Sequence, residues 1–443
     1  MSLFSIKPFI AAFTAIAFLS ACGGGGGNST APPVGGLTLE PGEAGVTVSW
    51  TSVPGVEYWL YAAPGSSICK NCGNSPNNWF QITGAVSRGL SNAKISSPYF
   101  LSGIVNDTVY SFIMDGRVNG GPGGDATPSV STTPRLAGAL WKSGGNLGTG
   151  DIKGIAFGPI LNSANNTYAA TGSYLGMGSN GAKYQSTDGL SWTVNTASDT
   201  TNWLGTLYSL NKFIGIGQGG AVSYSTDLKT WTTANSGVTQ NLNAIASSGS
   251  MVVAVGNNGT IIRSSDAITW TAATATPNTL PLYGVSYTVN GLWVAVGAAG
   301  TLLTSSDGAT WTAVSSGTTA DLRSVASMAN IITTNNVSAT VYSLVVTGNN
   351  GTLLQSADGV KWALQSVGTN ANLNAVVASV GVLPTNQFVA VGNSGLALTS
   401  TDGITWTART TQTSQNLNVL LRGLSPQTRY IALGANGSTV YTQ

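Results

Sequence analysis

The chain has 443 residues, of which 7% are charged, with a formal net charge of +2, 58 glycines and no histidine. So neutral a sequence lacks the concentrated basic face that a phosphate backbone demands, which excludes a nucleic-acid partner. Without histidine, Ser–His–Asp and Cys–His catalysis and the usual imidazole metal site are also excluded, and no cofactor or metal is expected. Solubility must then rest on Ser, Thr and Asn, which with so many Gly-rich turns is the pattern of an exported all-β protein.

Residues 1–21 read as a targeting segment rather than as part of the fold. Lys7 gives a short positive start, and the apolar run from Pro8 to Phe18 is too short to span a bilayer. Leu19-Ser20-Ala21-Cys22 follows and resembles the lipobox of bacterial lipoproteins. The resemblance implies cleavage before Cys22, acylation of its thiol and an outer-membrane location, since Gly23 stands where inner-membrane retention would use Asp. Residues 22–30, with five consecutive glycines, form a flexible tether to that membrane anchor.

Residues 31–135 read as one small domain. Val46-Thr47-Val48-Ser49-Trp50 alternates as a half-buried strand, and Tyr58-Trp59-Leu60-Tyr61 follows a Pro-Gly turn as another. Cys69 and Cys72 bracket two residues in a Gly/Ser/Asn loop. Gly73 rules out haem attachment, so the pair reads as a structural disulfide worth roughly 2 kcal/mol in the loop-entropy model. Two more strands flank Asn106-Asp107, and Tyr110 stands where a tyrosine corner would bond back to upstream backbone. The segment resembles a fibronectin type III module, which implies a sandwich used as a spacer.

Residues 136–443 repeat, and the period sets the fold. The turn Ser186-Thr187-Asp188-Gly189-Leu190-Ser191-Trp192 recurs around Asp227, Asp266, Asp307, Asp358 and Asp402, at spacings of 39, 39, 41, 51 and 44 residues. These are blade lengths for a four-stranded propeller unit. Each repeat has an opening strand such as Leu242-Asn243-Ala244-Ile245 and an apolar strand such as Val252 to Gly256. A turn of the type Asn257-Asn258-Gly259, a third strand and a Trp-bearing fourth complete it. Ser and Asp side chains accept turn N–H groups that no ladder can serve, which explains the motif without invoking a ligand. The repeat resembles the Asp-box (BNR) repeat of sialidase-like and photosystem II stability-factor propellers. It departs in having one residue fewer between Asp and Trp, and in Leu228 and Ala267 where the other copies have Gly.

The last repeat stops after its third strand at Tyr441, whereas residues 139–145 match an isolated fourth strand. The expected fold is therefore all-β: a fibronectin type III-like sandwich, then a seven-bladed β-propeller closed by its own N-terminal strand. Residues 329–339 read as a long polar loop in the fifth blade.

Sialidase chemistry does not fit. The propeller has no glutamate, and six of its nine aspartates are turn positions, leaving Asp151, Asp199 and Asp321. Paired-carboxylate hydrolysis would need two of these opposed, so the chain is expected not to be an enzyme. Binding reads better. The residues flanking each opening Leu or Ile would ring the axis. Of these, Lys153, Trp203, Tyr283, Asp321 and Arg323 break the repeat and are the candidate partner contacts, expected to bind without supporting stability. The expected function is a lipid-anchored cell-envelope binding or assembly scaffold with a protein partner. The alternative is a carbohydrate-binding or atypical carbohydrate-active protein.

Overall fold

The computed structural model describes residues 29–30, 34–67, 95–118, 125–162, 167–195, 199–274, 276–277, 279–334, 337–379, 386–423 and 429–442. The targeting segment, Cys22, most of the tether, Cys69 and Cys72 lie outside the described residues. Among the described residues all regular structure is strand, apart from seven three-residue 3₁₀ turns.

Two antiparallel sheets form the N-terminal sandwich. Val34–Gly42, Gly45–Thr51 and Tyr99–Ser102 make one. In the other, Tyr110–Arg117 lies between Glu57–Pro64 on one side and Val130–Thr132 with Ser29–Thr30 on the other. Alternation places Val46, Val48 and Trp50 on the inner face, against Tyr58, Leu60, Phe112 and Met114 of the opposite sheet. Trp50 meets Tyr58 edge-on at 5.6 Å. The Tyr110 hydroxyl accepts the Val105 N–H at 3.2 Å, five residues upstream, and pins the turn before its strand.

Seven four-stranded sheets follow, making a seven-bladed β-propeller. In chain order the blades span residues 152–195, 203–234, 242–272, 282–313, 322–365, 373–410 and 417–442. The seventh is completed by Trp141–Asn146, which pairs antiparallel with Ser438–Thr442. Second strands such as Val252–Gly256 and Trp293–Gly297 are buried along their whole length, because a neighbouring blade covers each face. The core is accordingly a ring of interblade clusters. One joins Val253 and Val255 of blade three to Leu282, Trp293, Leu303 and Trp311 of blade four.

The six Asp-boxes share one geometry. In blade three the Ser264 hydroxyl donates to Asp266 Oδ1 at 2.9 Å and accepts the Ala267 N–H at 2.8 Å. Asp266 Oδ1 also accepts the Ile268 and Thr269 N–H groups at 2.8 and 2.7 Å. Leu228 and Ala267 hold the left-handed φ, 60° and 64°, that glycine supplies in the other boxes, so the missing glycines leave the turn unchanged.

These boxes lie at one face of the propeller, and the 3₁₀ turns with the starts of the first strands lie at the other. The sandwich docks on the Asp-box side of blade seven. Glu40 reaches Arg429 at 3.6 Å and Lys142 at 3.9 Å, and Glu43 Oε2 accepts the Ala137 N–H at 3.3 Å. Arg429 opens the second strand of blade seven, whose far end at Gly434 leads into the opposite face.

One expectation is corrected. Residues 329–334 and 337–339 are not loop but belong to a paired ribbon, Leu322–Thr334 against Val337–Gly348. Its ladder continues without interruption from Ser324–Thr347 to Thr334–Val337. The run of Ile and Thr with Val337 in this ribbon has the β-branched composition that sustains strand pairing.

Candidate functional site

The site begins with a repeated irregularity of the innermost strand. In every blade the opening residue pairs with the glycine that ends the second strand, as Leu242 with Gly256. The next residue pairs with nothing, and the register resumes one position later, as Ala244 with Val255. The same shift occurs at Ile152, Trp203, Leu282, Leu322, Leu373 and Leu417. A bulge of this kind releases one side chain from the ladder and re-aims it. The pairing glycine is required by contact, since a Cβ on Gly256 would collide with the Asn241 carbonyl oxygen.

The seven bulged residues, in ring order, are Lys153, Leu204, Asn243, Tyr283, Arg323, Asn374 and Asn418. They surround an axial cavity of about 470 Å³. Beneath them come small residues, including Gly154, Gly205 and Gly284, and then a mainly apolar layer of Ile155, Ile245, Val285, Val376 and Leu420, in which Thr206 is the polar member. Lys153 on blade one and Arg323 on blade five stand across the axis from one another, and Tyr283 is Arg323's neighbour on blade four. No carboxylate is among the residues lining this cavity.

Three of the seven serve the frame. Asn243 Nδ2 donates to the Leu282 carbonyl of the next blade and to Asn257 Oδ1 of its own turn, both at 2.9 Å. Asn374 makes the equivalent pair to Leu417 and Asn393 at 2.9 Å. Asn418 donates to Ile152 at 3.1 Å, across the closure. The other four break the repeat in residue type, although Arg323 keeps the bond to the first residue of its own turn. Lys153 Nζ lies 3.2 Å from Asp151 Oδ2. Arg323 Nε donates to Asn349 Oδ1 at 2.8 Å, Asn349 Nδ2 donates to Asp321 Oδ2 at 3.3 Å, and the guanidinium carbon sits 5.2 Å from the Tyr283 ring centre.

The position before each opening residue is a clasp between blades. Asp321 Oδ1 accepts the Ala299 N–H of the preceding blade's turn at 3.0 Å, and Asn372 does the same for Asn350 at 2.9 Å. Asp151, Asn202, Asn241 and Asn416 bond identically to the turns before them. Pro281 has no such acceptor, and its turn goes without this clasp. Asp321 therefore belongs to the repeat frame and touches the cavity only through Asn349.

Trp203 is a correction. The register makes it the opening residue of blade two, equivalent to Leu242, with Asn202 before it and Leu204 in the bulge. It is 4% exposed and packs with Met177 and Phe213. Its indole N–H donates to Asp199 Oδ2 at 3.0 Å, and the same oxygen pairs with the buried Lys183 ammonium. Burial works to raise the Asp199 carboxyl, but Lys183 and the Thr201 N–H outweigh it and hold it below the usual carboxylate range. A large residue in place of leucine shifted the sequence alignment by one, and only strand register resolves it.

The remaining candidates are placed as follows. Lys153, Tyr283 and Arg323 come together at the cavity mouth. Asp188, Asp227, Asp266, Asp307, Asp358 and Asp402 all sit in turns at the opposite face, their carboxyls held below the usual range by turn N–H groups against whatever burial they have. Sequence reasoning missed Leu204, which broke the repeat unnoticed, and Asn349, which looks like any other turn asparagine. Among the described residues no group of three His, Cys, Asp or Glu could hold a metal ion.

No protein-family model matches the chain, and no curated protein matches it in sequence. Solved structures do. YCF48 from Cyanidioschyzon merolae aligns at 17% identity and a TM-score of 0.51, over 69% of this chain and 99% of that one. YCF48 bound to a D1 peptide aligns at 19% identity and 0.51, over 69% and 97%. A streptogramin B lyase aligns at 10% identity and 0.53, over 69% and 97%. Identities so low show the shared fold alone: what this chain has in common with these proteins is the β-propeller.

Proposed function

We propose that the chain is a cell-envelope binding or assembly scaffold whose propeller engages a protein partner at the cavity mouth. The observation that carries this reading is the mouth itself. Lys153, Tyr283 and Arg323 are released from the ladder by bulges into a cavity on the face opposite the sandwich, so the sandwich leaves that face open. Arg and Tyr are side chains that anchor protein interfaces. A propeller of the same fold, YCF48, is known in a complex with a D1 peptide, which supports a protein partner in preference to a glycan. The role is binding rather than catalysis, because the lining supplies no carboxylate and the chain no histidine.

The N-terminal parts fit such a scaffold. Acylated Cys22 would hold the chain at the outer membrane, the glycines would give reach, and the sandwich would act as a fibronectin-like spacer. Among the described residues, its strand connectivity, with Val34–Gly42, Gly45–Thr51 and Tyr99–Ser102 in one sheet and Glu57–Pro64, Tyr110–Arg117 and Val130–Thr132 in the other, supports that resemblance.

The test is crosslinking capture from the native envelope with the wild-type chain and a Tyr283→Ala/Arg323→Ala variant, beside a glycan array. A protein captured by the wild type and lost from the variant, at equal melting temperature, supports the reading. Capture that ignores the variant overturns the mouth as the docking face. Glycan binding lost from the variant turns the reading to carbohydrate.

A further inference from the structure

The chemistry of the cavity narrows what can enter it, on the reading that the partner is a protein. Lys153 is matched by Asp151 at 3.2 Å, whereas Arg323 has no carboxylate within ion-pair distance among the described residues. Its Nε is committed to Asn349, which is anchored in turn by Asp321, and Tyr283 supports the guanidinium carbon at 5.2 Å. Both Nη groups are without a protein partner among the described residues. An arginine fixed through Nε with a free Nη pair is prepared for an oxyanion, and a planar carboxylate matches it well. Asp151 and Asp321 do not compete, because each carboxylate already accepts a backbone N–H of the preceding blade's turn and holds its own side-chain partner.

Below this charge the wall changes character. Gly154 and Gly284 beneath the bulges let neighbouring first strands close up, since a Cβ there would meet the next blade's backbone, and Ile155, Ile245, Val285, Val376 and Leu420, with Thr206 among them, then offer a mainly apolar surface. A ligand that satisfies both layers has a carboxylate attached directly to a short apolar body. We propose that the axial cavity is a carboxylate site that takes the last residue of a partner chain, with the terminal carboxylate on Arg323 and an apolar side chain in the throat below it. Lys153, across the axis, adds longer-range attraction, and its loss should matter less than that of Arg323.

The probe is N-acetyl-Gly-Leu as free acid and as C-terminal amide, titrated calorimetrically into the full chain and into Arg323→Met, Arg323→Lys and Lys153→Met. The expected result is binding of the acid at least tenfold tighter than the amide, abolished by Arg323→Met and weakened by Arg323→Lys. Melting temperatures should change little, since Arg323 is only half-buried at the mouth and Asn349 keeps its bond to Asp321. Equal binding of acid and amide, no binding of the acid up to millimolar concentration, or indifference to Arg323→Met each overturns the proposal. Oligogalacturonate bound through Arg323 in place of the peptide acid overturns it in favour of a glycan. A protein partner that is lost with Tyr283→Ala/Arg323→Ala yet still binds after its own C terminus is extended leaves the scaffold reading standing and removes only the terminal-carboxylate site.

Discussion

Trp141 lies directly across the last ladder from Thr442, so residues 301 positions apart close the ring as neighbours in one sheet. Trp141 is 2% exposed, its indole N–H donates to the Gly138 carbonyl at 2.9 Å, and it packs among Ala397, Leu417, Tyr430 and Val440. Without this strand, Ser438–Thr442 becomes a free edge and blades six and seven lose a shared core. Deletion of residues 139–145 should therefore greatly lower the melting temperature. Trp141→Ala should cost about 3–5 kcal/mol by chemical denaturation. An unchanged melting temperature for the deletion would falsify this closure.

Trp203 carries the second expectation. Its place in the ladder is the one filled by Leu242, Leu282, Leu322, Leu373 and Leu417, and its surroundings are core. Trp203→Ala should lower stability by about 3–5 kcal/mol, as large-to-small core changes do. Trp203→Leu should recover much of this, short of the indole bond to Asp199. Any loss of partner binding should then track unfolding and not affinity. A variant with wild-type denaturation and no partner binding would return Trp203 to the binding surface.

The fold was legible because two signals agreed. The Asp-box spacing gave the blade length, and the unmatched ends, Trp141's strand and the final Tyr441 strand, gave the count. The site was legible only to within one residue. Periodicity marked where each first strand begins, so Lys153, Tyr283 and Arg323 were placed at the axis, where they line the cavity. It could not show that Trp203 substitutes for a leucine, because both are apolar. Nor could composition separate the asparagines that clasp neighbouring blades from those that could meet a ligand. That difference lies in partners up to 266 positions away, such as Ile152 for Asn418. The paired ribbon of blade five escaped for a related reason: its Thr- and Asn-rich tip looks polar, while pairing depends on backbone shape.

Ala299 supplies a prediction about strain. It holds φ 52° in the turn of blade four, where the other blades have Asn, Gly or Ser. The left-handed region costs a non-glycine residue roughly 1–2 kcal/mol, and asparagine tolerates it better than alanine. The side chain is exposed, so no packing is lost, and the Asp321 bond is to its backbone N–H. Ala299→Asn should raise stability by roughly 0.5–1 kcal/mol, seen as a higher melting temperature. A neutral or lower value would mean that the turn relaxes its strain in some other way.

The last prediction sets two kinds of carboxyl against each other. Asp266 is held down to about 2 by the Thr269 and Ile268 N–H groups and the Ser264 hydroxyl, and the other five box aspartates are lowered for the same reason. A depressed folded value contributes stability that is present above the unfolded value near 4 and is lost as pH falls toward 2. Glu43, at the junction of sandwich and propeller, has the opposite sign. Burial pushes it from its ordinary 4.5 up to about 7, against the Ala137 N–H and the Arg422 guanidinium, which pull it down. Between those two values the folded chain holds a proton that the unfolded chain has released, so stability falls as pH rises from 4.5 to 7. The ionisable groups that sense Glu43 are Arg422 and the Tyr430 hydroxyl, and no histidine exists to mask the effect. Melting temperature should therefore decline on both sides of a maximum near pH 4.5–5. Glu43→Gln keeps the acceptor for Ala137 and should flatten the decline between pH 4.5 and 7 while leaving the acid limb intact. If the variant and the wild type show the same slope above pH 5, Glu43 titrates as an ordinary exposed glutamate and the junction carries no buried charge.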